Sequence, residues 1–184
     1  MLKSLVDNER TDKNTVHSYL DLYETLFTDK KETAKHILEI GILNGGSIKL
    51  WKDYFTNATI HGIDIIRDNK KWHDIIADPN ITLYTGIDAY NKEFIANAFL
   101  NKNIKFDIII DDGPHTLISM MQYITYYSQL LLPDGILIIE DVYNMKWTEI
   151  LSDYVLENMK DKIHIYDLRE NKNRYDDIIF SLHD

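Results

Sequence analysis

His36-Ile37-Leu38-Glu39-Ile40-Gly41-Ile42-Leu43-Asn44-Gly45-Gly46-Ser47 is the stretch that decides the architecture. Five residues rich in aliphatic side chains run into a glycine-rich turn, and Gly46–Phe55 then carries apolar residues three or four apart. That is a strand, a tight turn and a helix. The same alternation recurs along the chain. Apolar runs occupy Thr59–Ile63, Ile81–Tyr84, Phe106–Ile110 and Gly135–Ile139, with helical-length stretches at Asp68–Ile76, Asn91–Leu100 and Thr116–Leu131 between them. Runs such as Ile108-Ile109-Ile110 are apolar at consecutive positions, as in parallel strands covered on both faces. A βαβα rhythm predicts a doubly wound, mostly parallel α/β sheet with right-handed crossovers. After a last helix around Trp147–Met159, Lys162–Leu168 and Asp177–Leu182 alternate more, and Arg169–Asp176 shows no helical face. This end reads as an antiparallel hairpin closing a seven-stranded sheet. The Thr15–Phe27 segment reads as a helix outside the alternation.

Composition narrows the chemistry. The chain has 184 residues, 20 basic and 30 acidic, for a formal charge of −10. This balance argues against affinity built from a basic groove along phosphates, so no nucleic-acid partner is expected. There is no cysteine, which removes disulfides, thiolate metal sites and cysteine nucleophiles. Any metal must be held by carboxylate, imidazole, amide or water. No apolar run approaches the roughly 20 residues of a membrane span, and the start MLKSLVDNER has no signal-peptide core. The expected location is cytoplasmic, with no membrane partner.

The glycine turn excludes two familiar cofactor loops. Leu43 stands where a dinucleotide fingerprint needs its second glycine, and no Lys-Ser/Thr pair ends a phosphate-binding loop. The spacing of Glu39, Gly41 and Gly45 resembles motif I of methyltransferases instead. Asp64 ends the second strand, where an acidic side chain can accept from both hydroxyls of a ribose. Asp88, after the third strand, can accept from an adenine amine or cap the following helix.

A second cluster lies further along. Phe106–Ile110 ends in Asp111-Asp112, followed by Gly113-Pro114-His115, and Gly135–Ile139 ends in Glu140-Asp141. The fourth and fifth strands are expected to be neighbours, so Asp112, Glu140 and Asp141 should converge in the crevice where such sheets bind ligands. Like charges that close call for a cation or for protons. Oxygen donors without thiolate suit a hard divalent ion, Mg²⁺ before Mn²⁺ or Ca²⁺. The competing reading makes these acids helix caps and His115 a first-turn surface residue. Two acidic pairs plus a histidine favour a metal and a base.

The segments TDKNTVHSYLDLY, HILEIGILNGGSIKLWKDYF, ATIHGIDI, FDIIIDDGPHT and LLPDGILIIEDVY, in that order, resemble the macrocin and mycinamicin family of metal-dependent sugar O-methyltransferases. The likeness covers roughly residues 11–143. The resemblance implies a class I, Rossmann-like methyltransferase that uses S-adenosylmethionine and a divalent cation to methylate a hydroxyl of a sugar or glycoside. It implies Asp112, Glu140 and Asp141 as metal ligands, with His115 the general base beside Asp112. Glu39, Gly41, Gly45, Ser47, Asp64, Asp88, Asp111 and Lys13 would hold the donor. Residues 1–30 would form a helical lid segment and residues 31–184 the methyltransferase domain, with Thr11, Asp12, Lys13, His17 and Tyr23 as a lid over the donor or acceptor. Pro114 is expected in the first turn of the helix that His115 opens. Two other readings stay open: a metal-dependent methyltransferase of a catechol or other phenol, and a non-catalytic S-adenosylmethionine-binding module. A homo-oligomer is compatible with all three. Tyr143 is the one aromatic residue placed beside the cluster; the other histidines show no ligand spacing.

Overall fold

The computed structural model describes residues 1–184. Its strands are β1 (His36–Ile40), β2 (Thr59–Asp64), β3 (Ile81–Thr85), β4 (Phe106–Asp111), β5 (Leu131–Ile139), β6 (Ile163–Asp167) and β7 (Ile178–Leu182). They form one seven-stranded sheet in the order β3-β2-β1-β4-β5-β7-β6. β1, β2 and β3 pair in parallel, as do β4 and β5, whereas β7 is antiparallel to both β5 and β6. This is the mostly parallel sheet with an antiparallel C-terminal hairpin that the sequence pattern predicts. No helix is long and apolar enough to cross a membrane.

Two compact units divide the chain, Met1–Ala89 and Tyr90–Asp184. The first is built on β1–β3 with the helices α1 (Tyr19–Phe27), α2 (Gly46–Tyr54) and α3 (His73–Ile76). Its isoleucines face one another across the parallel ladder, Ile37 with Ile60 and Ile40 with Ile63. The N-terminal segment docks by aromatic packing. Phe27 lies edge-on to Trp51 at 5.7 Å, and Tyr23 meets both Phe27 and Trp51. Tyr23 is fully buried.

The second unit holds β4–β7 with α4 (Lys92–Ala98), α5 (Leu117–Tyr127), α6 (Met145–Tyr154) and α7 (Arg169–Lys172). All six β4 residues are buried, and so is Gly135–Ile139 of β5. Full burial of each such aliphatic side chain contributes about 1.5–3 kcal/mol. β6, at the sheet edge, has no fully buried residue.

Four boundaries differ from the sequence expectation. α1 starts at Tyr19 rather than Thr15, because the amides of Thr15, Val16 and His17 all bond to the Asp12 carbonyl in a turn. Helix over Asp68–Ile76 shrinks to a 3-10 turn and the single turn α3. α6 covers Met145–Tyr154 rather than Trp147–Met159, since Val155 and Leu156 are extended. The hairpin connection carries the one-turn helix α7, stopped by Asn173 in the left-handed region.

Candidate active site

The glycine turn of the first unit follows β1 directly. Gly45 has φ of 76°, and a Cβ there would stand 2.6 Å from Ile75 Cδ1. A Cβ on Gly46 would meet the Arg10 backbone at 2.6 Å. Only glycine tolerates that conformation and that approach. Asp64 ties the turn from β2: one carboxylate oxygen accepts from the amides of Ile42 and Leu43 at 2.8 and 3.0 Å, the other from Ile66 at 2.8 Å. An ionised carboxylate has about four acceptor positions, so room for a ribose hydroxyl remains. Trp72 and Asn69 donate to the Leu43 carbonyl from the opposite side.

Arg10 is a contributor that sequence reading missed. Its guanidinium binds the Asn44 and Lys71 carbonyls and both oxygens of Asp74, which clamps the turn. Nothing at position 10 signals this, because its partners are distant in sequence. Glu39 and Lys13 form an ion pair at 3.3 Å, 0% and 1% exposed, and Trp51 Nε1 donates to Glu39 at 2.9 Å. Both side chains are buried in this structure. Ser47 is buried in the first turn of α2, and Asp88 is exposed after β3. Asp88 is no helix cap, because Asn91 caps α4 through the Phe94 amide.

The second unit gathers the acids. Asp112 and Asp141 follow β4 and β5, which are adjacent and parallel. The His115 Nε2 lies 3.6 Å from a carboxylate oxygen of each. Donor atoms of Asp112, His115 and Asp141 fall within 4.8 Å of one another, and a Glu140 oxygen lies as near to Asp112. Glu140 is fully buried, whereas Asp112, His115 and Asp141 reach solvent. His115 and Asp141 have φ of 50° and 55°. Left-handed backbone is uncommon for side-chain-bearing residues and clusters where function demands it.

The capping reading of these acids does not hold. Thr116 caps α5 in a reciprocal box with Ser119, and Asn144 caps α6 through the Trp147 amide. His115 and Pro114 accordingly precede α5 rather than lie in its first turn. Asp111 faces inward, 3% exposed, and accepts from Tyr90 Oη at 2.7 Å. Burial pushes its carboxyl up to about 7, and neighbouring Asp112 adds to this, against the pull of the Tyr90 and Gly113 hydrogen bonds.

No family model matches the chain. Its similarities are to individual proteins. An 8-demethyl-8-α-L-rhamnosyl tetracenomycin-C 2′-O-methyltransferase of Streptomyces olivaceus is 26% identical over 164 residues, 83% of this chain and 40% of that protein. The mycinamicin VI 2″-O-methyltransferase of Micromonospora griseorubida is 28% identical over 139 residues, 72% of this chain and 33% of its own. The solved structure of MycE methyltransferase from the mycinamycin pathway, in complex with Mg, SAH and mycinamycin VI, superposes with a TM-score of 0.72 at 20% identity. It covers 99% of this chain and 54% of that one. The chain has the Rossmann-like methyltransferase fold. In this methyltransferase fold the glycine turn after β1 and the acids after β4 and β5 both lie at C-terminal strand ends, where open α/β sheets bind ligands. The chain spans two-fifths or less of the length of these two curated relatives.

Proposed function

We propose that this chain is an S-adenosylmethionine-dependent, divalent-metal-assisted O-methyltransferase acting on a hydroxyl of a sugar or glycoside. The observation that carries the reading is His115 within 3.6 Å of both Asp112 and Asp141 at neighbouring strand ends. The relatives named above, sugar O-methyltransferases, support the reaction class. The MycE complex supports S-adenosylmethionine and Mg²⁺ as the cofactors. The cytoplasm is the compartment proposed.

The donor set suits the cation. Asp112, Glu140 and Asp141 offer hard oxygen ligands, and donor oxygens of Glu140 and Asp112 lie within 4.8 Å of each other. When bound, a divalent ion there supplies Lewis acidity that makes a vicinal diol easier to deprotonate. Glu39, Gly41, Gly45, Ser47, Asp64, Asp88, Asp111 and Lys13 are the proposed donor-side residues. Gly41, Gly45 and Asp64 shape the turn. Residues 1–30 are proposed to cover the donor, a role that Arg10 on the turn supports.

Methyl transfer from a sulfonium is an in-line displacement. The acceptor oxygen forms its bond to the methyl carbon as the carbon–sulfur bond breaks, and the sulfur leaves as a neutral thioether. The hydroxyl proton passes to His115. Imidazole is the side chain that exchanges protons near neutrality. The His115 Nε2 stands 3.6 Å from a carboxylate oxygen of Asp112 and of Asp141, at the proposed cation site. His115→Ala is expected to lower kcat by roughly 10²–10⁴-fold while calorimetric donor affinity stays unchanged. Full turnover in that variant removes His115 from the base role.

A further inference from the structure

The proposed reaction leaves one surface of the second unit without a role. Tyr143, two residues past Asp141, is 53% exposed, and its ring centroid lies 5.4 Å from Trp147 and 5.4 Å from Tyr175. Tyr175, 63% exposed, meets it edge-on. Single exposed aromatic residues need no explanation, but two exposed rings in contact, with the half-buried Trp147 packed on Tyr143, make a patch that calls for a ligand. The face adjoins the acidic cluster. Tyr143 continues the chain from Asp141, and the Asp141 charge acts together with Asp176 on Arg174, the neighbour of Tyr175.

Beside Tyr175 lies an open depression of about 380 Å³, lined by Asp167, Arg169, Glu170, Asn173, Arg174 and Tyr175. Both arginines are already committed to bidentate pairs. Arg169 donates to Asp167 at 2.8 and 2.7 Å, and Arg174 to Asp176 at 3.0 and 2.7 Å. Guanidinium groups held in that way have little left for a phosphate. The wall has one aromatic ring and no aliphatic side chain, which suits an apolar aglycone poorly. Carboxylates, an amide and guanidinium edges match a neutral polyol.

We propose that this surface is an acceptor subsite for a neutral, hydroxyl-rich sugar next to the one that is methylated. Tyr175, with Tyr143 edge-on against it and Trp147 packed on Tyr143, stacks on the apolar face of a sugar ring, and the depression binds the hydroxyls of its neighbour. The acceptor is then the end of an oligosaccharide rather than a nucleotide-linked sugar or a glycoside of an apolar aglycone. This inference rests on the sugar O-methyltransferase reading.

Saturation-transfer NMR with the holoenzyme tests it without needing turnover. The probes are methyl rhamnoside, the methyl glycoside of a rhamnose disaccharide, and a nucleoside-diphosphate rhamnose. The disaccharide is expected to bind about tenfold more tightly than the monosaccharide. Tyr175→Ala should erase that advantage, Tyr175→Phe should keep it, and Mg²⁺ affinity should not move in either. Equal binding of the two neutral probes, or full disaccharide affinity in Tyr175→Ala, overturns the proposal. Tightest binding by the nucleotide sugar overturns it in favour of an anion site. A dimer seen by sedimentation and lost in Tyr175→Ala overturns it in favour of a second copy of the chain. Failure of the reaction reading looks different: disaccharide binding persists, but no probe accepts a methyl group.

Discussion

His61 is buried in β2, with His36 Nδ1 3.2 Å from its Nε2 and the Tyr84 ring stacked alongside. Burial first, and the charge of His36 second, push its imidazole down to about 4. The unfolded chain therefore takes up this proton near pH 6.5, before the folded one does. Stability from this residue is complete above that value and is lost as pH falls toward 4, at up to about 1.4 kcal/mol per pH unit. Between pH 7 and 5, urea unfolding should show the wild type losing about 2 kcal/mol more than His61→Gln. Parallel stability curves for the two proteins contradict this. Residue roles were unevenly legible. The acids and His115 stood out because strand ends and a Gly-Pro turn placed them in sequence. His61 beside His36 and Arg10 on the glycine turn did not, since partners that meet only through strand pairing or chain return leave no local spacing.

At the scale of elements, the apolar strand cores could be read because both faces of a central parallel strand are covered, so β4 runs uninterrupted through Ile108, Ile109 and Ile110. Helix ends were harder. Extended Val155 and Leu156 look, as apolar residues, like a continuation of α6, and the Asp12 turn carries the same amphipathic spacing as a first helical turn. The cap of α5 is the boundary with the most consequence, because it fixes the backbone immediately after His115. Thr116 accepts from the Ser119 amide at 3.1 Å, and Ser119 Oγ accepts from the Thr116 amide at 3.2 Å. Thr116→Ala should cost about 1 kcal/mol in denaturant unfolding, and Thr116→Ser only a fraction of that. Equal loss in both variants would show that the methyl group, not the hydroxyl, matters there.

For the molecule as a whole, sheet order and strand direction follow from the alternation of strands and helices, and the antiparallel end follows from the change of pattern after residue 162. What pattern could not supply is the proposed acceptor side. The aromatic face and the depression beside it depend on the loop after β5 and the connection between β6 and β7, neither of which has a periodic signature. The −10 charge, which first argued against a nucleic-acid groove, includes Asp112, Glu140 and Asp141, the ligands of the proposed cation. The most direct test of metal-assisted methylation is transfer of a labelled methyl group from S-adenosylmethionine to a rhamnoside, measured with Mg²⁺ and with excess chelator. Label should reach the sugar oxygen only with Mg²⁺, and Asp141→Asn should abolish transfer. Undiminished transfer in chelator, or in that variant, contradicts the account.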